Sequence, residues 1–393
     1  MERRAELDAA GALVTPDGAR ISRLEITPEM VRNRTTVIYG PSGTGKTVIA
    51  KHLMSLAHPA VPQVLVVSPS EPSNRAYAGF VDPALIHYSL SLEDPADRKG
   101  TPRKAALRFL NAIWDRQELM TAVAARADDL RPLAALFRRT PAADRVEGLR
   151  AIRAAAALRA RVAGALAARY AAEPGRAAEK RKEVEEKFQR MLRLIYKKFV
   201  ARHREALWRD EALTEDERFC LDYLEFNPGL LLVFDDCAAD LKALFASNEF
   251  KRIFYRGRHV SLTTILIAQD DTDLPTNLRK NAFLSIFTEA VVCRSNFDRG
   301  SNNFPRPTRA FVGEVIPAVF AGNRKLVYIR EDPRGENFYH FEAPFTRPFR
   351  FGSDALHELC DAVKAEGATM DAKNPYYRRF RPDAPPGPAP GPA

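Results

Sequence analysis

The chain has 393 residues, 46% hydrophobic and 28% charged, which supports a large packed core with room for an added subdomain and excludes a disordered polymer. No apolar run reaches the ~18 residues that crossing a bilayer needs, and the start Met1 to Asp8 has no apolar signal-peptide core, so a soluble protein is expected. Cys220, Cys237, Cys293 and Cys360 form no CxxC pair and the seven histidines show no metal-ligand spacing, which argues against disulfides and zinc and fits a reducing compartment.

The net charge of +10 is concentrated. Residues 101–220 hold 27 Lys+Arg against 17 Asp+Glu, and the rest of the chain balances. Such a surface attracts phosphate polymers, although an Ala- and Arg-rich helical face in contact with solvent has the same composition.

Residues 1–34 read as an N-terminal leader packed beside the first core strand. Thr35–Tyr39 is that strand. Gly40-Pro41-Ser42-Gly43-Thr44-Gly45-Lys46-Thr47 follows and matches G-x-x-x-x-G-K-[ST], the Walker A P-loop, ahead of a helix over Thr47–Ala57. Glycines let the backbone turn several N–H groups toward one point, and the helix adds its free N-terminal donors. Lys46 is expected to reach the β/γ-phosphates of ATP, and Thr47 to offer its hydroxyl to Mg²⁺. Val64 to Ser68 reads as a second strand, and residues 71–100 as loop and short elements closing the first part of the core, 35–100.

Over 101–220 strand signals vanish and a basic helical insertion is predicted. One helix covers Ala151–Ala172 and ends at Pro174-Gly175. Another runs from about Ala177 to Leu207, with Val184, Phe188, Met191, Leu192, Ile195 and Phe199 on one face. The core resumes over 221–382. Leu230–Phe234, Thr263–Ala268 and Phe283–Phe287 read as buried parallel strands, with helix over Ala238–Phe254. Lys325–Arg330 and Asn337–Glu342 flank Asp332-Pro333-Arg334-Gly335 as a C-terminal hairpin. The Pro-rich stretch 383–393 reads as a disordered tail. Strand and helix alternation makes the chain α/β with a mainly parallel sheet.

Asp235-Asp236 close the strand Leu230–Phe234, which gives the Walker B pattern. Asp235 is expected to hold Mg²⁺, and Asp236 to polarise the attacking water as general base. Gln269, after the strand Thr263–Ala268, is placed to hydrogen-bond a water or the γ-phosphate without competing for metal. Arg279 is the first candidate for an arginine finger, with Arg256 and Arg258 as rivals.

GPSGTGKT, LLLVFDD, YRGRHVSLTTILIAQ and LPTNLRKN, in this order, resemble the FtsK/HerA superfamily of DNA-pumping ATPases, in particular the poxvirus-type genome-packaging ATPases of large double-stranded DNA viruses. The likeness covers roughly residues 30–72 and 228–292. It implies a RecA-like P-loop NTPase core and a homo-oligomeric ring, often of six subunits. It further implies ATP-driven movement of double-stranded DNA into a capsid, with capsid proteins as partners and a virion or cytoplasmic assembly site as location. Carried over by residue, Gly40, Gly45, Lys46 and Thr47 bind nucleotide, Asp235 binds Mg²⁺, Gln269 senses the γ-phosphate, and Arg279 or Arg258 acts in trans. Asp236 departs from the Glu of many relatives and is one methylene shorter. Arg299, Arg306 and Arg309 are candidate DNA contacts. A nucleoside or polynucleotide kinase and a nucleotide-binding scaffold remain as alternative readings of the same P-loop.

Overall fold

The computed structural model describes residues 6–90, 102–332 and 335–367; the predicted tail 383–393 and residues 91–100 of the predicted loop lie outside them. The described residues contain β1 (Glu6–Leu7), β2 (Leu13–Val14), β3 (Arg20–Arg23), β4 (Thr35–Tyr39), β5 (Gln63–Val67), β6 (Ile86–His87), β7 (Leu230–Asp235), β8 (Leu262–Ala268), β9 (Leu284–Phe287), β10 (Lys325–Ile329) and β11 (Phe338–Phe341). They form an 11-stranded sheet in the order β1-β2-β3-β11-β10-β9-β4-β8-β7-β5-β6. Neighbours from β9 to β6 are parallel. β10 runs antiparallel to both β9 and β11, which gives the expected hairpin. This is a RecA-like P-loop NTPase core: β8 lies between the P-loop strand β4 and the Asp-Asp strand β7.

The central strands are apolar throughout because both faces are covered. Leu230, Leu232 and Phe234 of β7 face one layer with Val37, Tyr39 and Leu266. Leu231 and Val233 face the other with Ile38, Ile265 and Ile267. The period of two along each strand therefore builds two cores from one sheet.

The chain divides into two compact units. One comprises residues up to Glu118 together with those from Pro228 onward, and the other is Leu119–Asn227. In the second unit, helices Ala142–Arg169 and Pro174–Arg202 pair antiparallel, tied by Arg202 to Asp144 (2.9 Å) and Arg159 to Glu185 (3.1 Å). Leu133, Leu136, Phe137, Phe199, Val200 and Leu221 fill its core, so the predicted stripe ends in packing at Phe199. Gly148 lets helix Ala142–Arg169 close on helix Leu130–Arg139: a Cβ there would stand 2.5 Å from the Phe137 ring. Helix Glu215–Asp222 begins with a capping box between Thr214 and Glu217. Some of the unit's arginines pair with local carboxylates, including Arg139 with Asp210 at 2.7 Å and with Glu217.

Leu24, Ile26 and Val31 of the leader share a core layer with Ile38 of β4, and β3 joins β11 at the hairpin side. Two local expectations need correction. Pro174-Gly175 does not end a helix but opens the next one, where proline's missing N–H costs nothing. The predicted helix Ala238–Phe254 is broken into Ala238–Lys242 and Asn248–Lys251, the second capped by Ser247 and continuing into a π-turn at Arg252–Arg256.

Within the first unit, a buried amide ties the 102–118 part of helix Pro102–Ala127 to the sheet connections. Gln117 is fully buried, and its Nε2 donates to Pro228 O (2.9 Å) and Val260 O (3.1 Å) while Arg116 donates to its Oε1. Gln117→Leu strands these groups, each unmet partner costing about 1–3 kcal/mol. A clear drop in the urea midpoint is expected; an unchanged midpoint would show that these bonds are dispensable.

Candidate nucleotide-binding site

β4 ends at Tyr39, and the chain turns at once through Gly40–Gly45 into helix Lys46–Ala57. The turn needs left-handed backbone at Gly40 (φ 149°), Gly43 (φ 80°) and Gly45 (φ 89°). Gly40 is also a close approach: a Cβ would stand 1.8 Å from Thr288 Oγ1. Thr288 follows β9 and braces the loop from the next strand. Its hydroxyl donates to Tyr39 O at 2.9 Å and lies 2.6 Å from Thr44 Oγ1, which itself donates to Pro41 O at 2.8 Å. No side chain caps the helix at Gly45, so its first-turn N–H groups stay free for an anion.

Lys46 is half-buried, and its Nζ donates to Pro41 O at 2.8 Å. Burial lowers its pKa, opposed by the charges of Asp235 and Asp236. Asp235, the last residue of β7, is only 7% exposed, and its Oδ2 accepts from Tyr77 Oη at 2.9 Å. Burial pushes its pKa above the usual carboxylate value; Tyr77 and Lys46 pull it down, and Asp236 adds to the rise. Asp236 has left-handed backbone (φ 57°) and is exposed, with Oδ1 accepting from Gln269 Nε2 at 2.9 Å. Gln269 leaves the end of β8, and its backbone N–H is held by Asp273 Oδ2 at 3.1 Å.

These groups line one cavity of about 370 Å³ with Ser42, Gly43, Gly45, Thr47, Ser70 and Asn74. The sequence-predicted P-loop, both aspartates and Gln269 are thus brought together. Tyr77, Thr288, Ser70 and Asn74 were not predicted. Thr288 follows β9 and Ser70 follows β5, so polar residues just past each parallel strand were the available signal; nothing local pointed to Tyr77.

The arginine expectations fare differently. Arg279 is buried and uses all its N–H donors within the subunit. Its Nε donates to Asn302 Oδ1 (3.1 Å), one terminal nitrogen to Asp271 O (2.6 Å) and Leu274 O (3.1 Å), the other to Thr276 Oγ1 (3.0 Å) and Ser301 Oγ (3.3 Å). With all five donors engaged, Arg279 as placed positions the 271–276 turn. Arg299 is not a free DNA contact either: it grips the fully buried Asp271 carboxylate through two bonds of 2.7 and 2.8 Å. Arg306 and Arg309 are exposed on the first turn of helix Arg306–Val319. Arg256 and Arg258 are exposed before β8, at the sheet edge opposite their own P-loop.

ATP with Mg²⁺ fits the residues present. The glycine turn leaves open space where Cβ atoms of Gly43 and Gly45 would project. Among the described residues no group of three or more His, Cys, Asp or Glu could hold a metal by itself. The Asp235 carboxylate and Thr47 hydroxyl are hard oxygen donors, and Mg²⁺ completes such sites with phosphates and water.

Because burial raises the Asp235 pKa, its ionised form is lost as pH falls at a higher pH than for an unperturbed aspartate. Tyr77→Phe removes a hydrogen bond that favours the carboxylate. The acid limb of Mg²⁺-dependent nucleotide binding is expected to move to higher pH in this variant, with affinity near wild type at alkaline pH; an unmoved limb would dissociate Tyr77 from the site.

No family model matches the chain. It is 43% identical over 370 residues to the uncharacterized protein B354L of African swine fever virus (isolate Pig/Kenya/KEN-50/1950), covering 94% of this chain and 99% of the relative. It is 32% identical over 168 residues to the uncharacterized protein 075L of Invertebrate iridescent virus 6, covering 40% of this chain and 62% of the relative. Among solved structures, it matches the genome packaging NTPase B204 from Sulfolobus turreted icosahedral virus 2 in complex with ATP-gammaS. That match covers 82% of this chain and 100% of that chain, with TM-score 0.34 and 11% identity. The pCW3 conjugation coupling protein TcpA matches over 92% of this chain and 72% of that chain, with TM-score 0.36 and 10% identity. No helix among the described residues is long and apolar enough to cross a membrane. The near-complete alignment with the swine fever virus protein shows that this chain belongs to the B354L family.

Proposed function

We propose that the protein is an ATP-hydrolysing motor that moves double-stranded DNA and packages a viral genome into a capsid. One observation carries the reading: the P-loop, Asp235, Asp236 and Gln269 converge on one cavity because β8 stands between β4 and β7. The resemblance of the GPSGTGKT, LLLVFDD and YRGRHVSLTTILIAQ stretches to packaging ATPases supports the DNA substrate. The relatives named above are viral proteins, which supports the viral setting.

In this reading the Gly40–Gly45 turn and the first helix turn bind the phosphates, and Lys46 swings from Pro41 O to the β/γ-phosphates. Thr47 and Asp235 hold Mg²⁺, which when bound neutralises charge on the phosphate oxygens. Asp236 accepts the proton of the attacking water. Gln269, already bonded to Asp236 at 2.9 Å, orients that carboxylate and reports the γ-phosphate. Hydrolysis needs a cation opposite the leaving group, and Arg258 fits a role in trans. It is exposed and lies at the edge of the sheet away from its own P-loop, so only a neighbouring copy in a ring brings it to a nucleotide. Duplex DNA, a homo-oligomeric ring and capsid proteins are the partners implied, at a virion or viral assembly site.

The test is steady-state phosphate release with and without long duplex DNA. Duplex DNA is expected to raise turnover, and Lys46→Ala to lower it by roughly 10²–10³. Arg258→Ala is expected to cost about 10³ or more in turnover while leaving nucleotide affinity within a few-fold. Turnover indifferent to DNA, or phosphate appearing on an acceptor instead of in solution, would sink the motor reading.

A further inference from the structure

A cavity of about 720 Å³ in the first unit is distinct from the P-loop site. It opens at the opposite edge of the sheet, where β4 and β8 begin and β10 ends. Four arginines line it from three connections: Arg32 and Arg34 before β4, Arg258 before β8 and Arg330 after β10. Arg34 lies 3.6 Å above the Phe283 ring, which fixes its plane. Arg330 Nε is buried with no hydrogen-bond partner. Arg258 donates only to His259 Nε2, at 3.3 Å. The carboxylates in the wall are Glu29 and Glu331; both are exposed, and neither is in ion-pair contact with these arginines among the described residues.

Several arginines elsewhere in this protein are paired with carboxylates, as Arg299 is with Asp271 and Arg139 with Asp210. Here like charges are gathered instead. Desolvation lowers the Arg34 pKa, with Glu331 opposing and the Arg258 charge adding to the fall. A half-enclosed cluster of planar forks, one with a buried unmet donor, is built for an anion with several oxygens. Asn33 and Asn281 add neutral amides to the wall.

We propose that this cavity is a second anion site that binds a small polyphosphate ligand, either free polyphosphate or the phosphate chain of a nucleotide, through Arg34, Arg258 and Arg330. No P-loop residue lines it, but it shares Arg258 with the trans role proposed above, so the test varies Arg34 and Arg330 and leaves Arg258 intact. Its concave form and volume suit a short phosphate chain better than a rigid duplex.

The experiment measures calorimetric binding of inorganic tripolyphosphate and, separately, of ATP to the full chain carrying Lys46→Ala, which disables the P-loop. One equivalent of tripolyphosphate is expected to bind. Adding Arg34→Gln and Arg330→Gln is expected to weaken it roughly 10- to 100-fold, the loss of charge-assisted hydrogen bonds. Arg34→Lys keeps the charge but not the fork and is expected to give an intermediate loss, which serves if the double variant fails to fold. Equal affinity for tripolyphosphate and ATP assigns the contacts to the phosphates alone; tighter ATP adds the nucleoside. The proposal is overturned if tripolyphosphate does not bind Lys46→Ala with a wild-type unfolding midpoint, or if the arginine changes leave binding unmoved. It is equally overturned if they abolish binding of a short oligonucleotide but not of tripolyphosphate. In a Lys46-intact chain the Arg34→Gln, Arg330→Gln pair is expected to leave one nucleotide bound, so failure here and failure of the P-loop reading are told apart.

Discussion

The site depends on the register of β8 against its two neighbours. Tyr39 pairs with Ala268, and Asp235 pairs with Ile267. Three parallel strands therefore end at nearly one level, and the residues that follow them, Gly40, Gln269 and Asp236, emerge side by side. A slip of one residue would turn each side chain to the other face and drive Ile265 and Ile267 out of their core layer. Hydrophobic burial on two faces thus fixes the position of polar groups that contribute nothing to that burial. The sheet supplies alignment, and the loops supply chemistry.

Two kinds of information were unequally legible in the sequence. The P-loop, the central strands and the Asp-Asp ending are local patterns, and each reads correctly because a continuous apolar run or a glycine spacing specifies it. Gln269 was placed correctly for the same reason: a buried strand points to the residue at its end. The roles of Arg279 and Arg299 were not legible, because they are set by Asp271 and by the 301–302 turn, which are distant or ambiguous in sequence. Tyr77 is a further case: its hydroxyl reaches Asp235, 158 residues away. Helix breaks at Pro174 and within 238–254 were misread because Pro and Ser act through position relative to a helix start, not through composition.

Charge is handled in three distinct ways along the chain. In Leu119–Asn227, Arg and Lys face local carboxylates on the surface, where each pair contributes little. Around Asp271, a fully buried carboxylate is neutralised by Arg299 and lies 3.7 Å from Arg279. At the head of β4, guanidinium groups of Arg34 and Arg330 lack carboxylate partners among the described residues.

Asp271 also has a mechanical meaning. It lies two residues beyond Gln269, and its carboxylate is held by Arg299, just past helix Ala290–Asp298. Its carbonyl is held by Arg279, within the turn of helix Thr276–Asn281. The stretch carrying Gln269 is thus riveted to two helices by a charge that has no access to water. Bending that stretch alone would expose an unpaired buried carboxylate, at a cost of about 3–5 kcal/mol. Moving all three elements together leaves the rivet intact. The cheaper displacement of Gln269 is a rigid-body one, in which a small shift at the cavity is carried without loss to the helices that flank it.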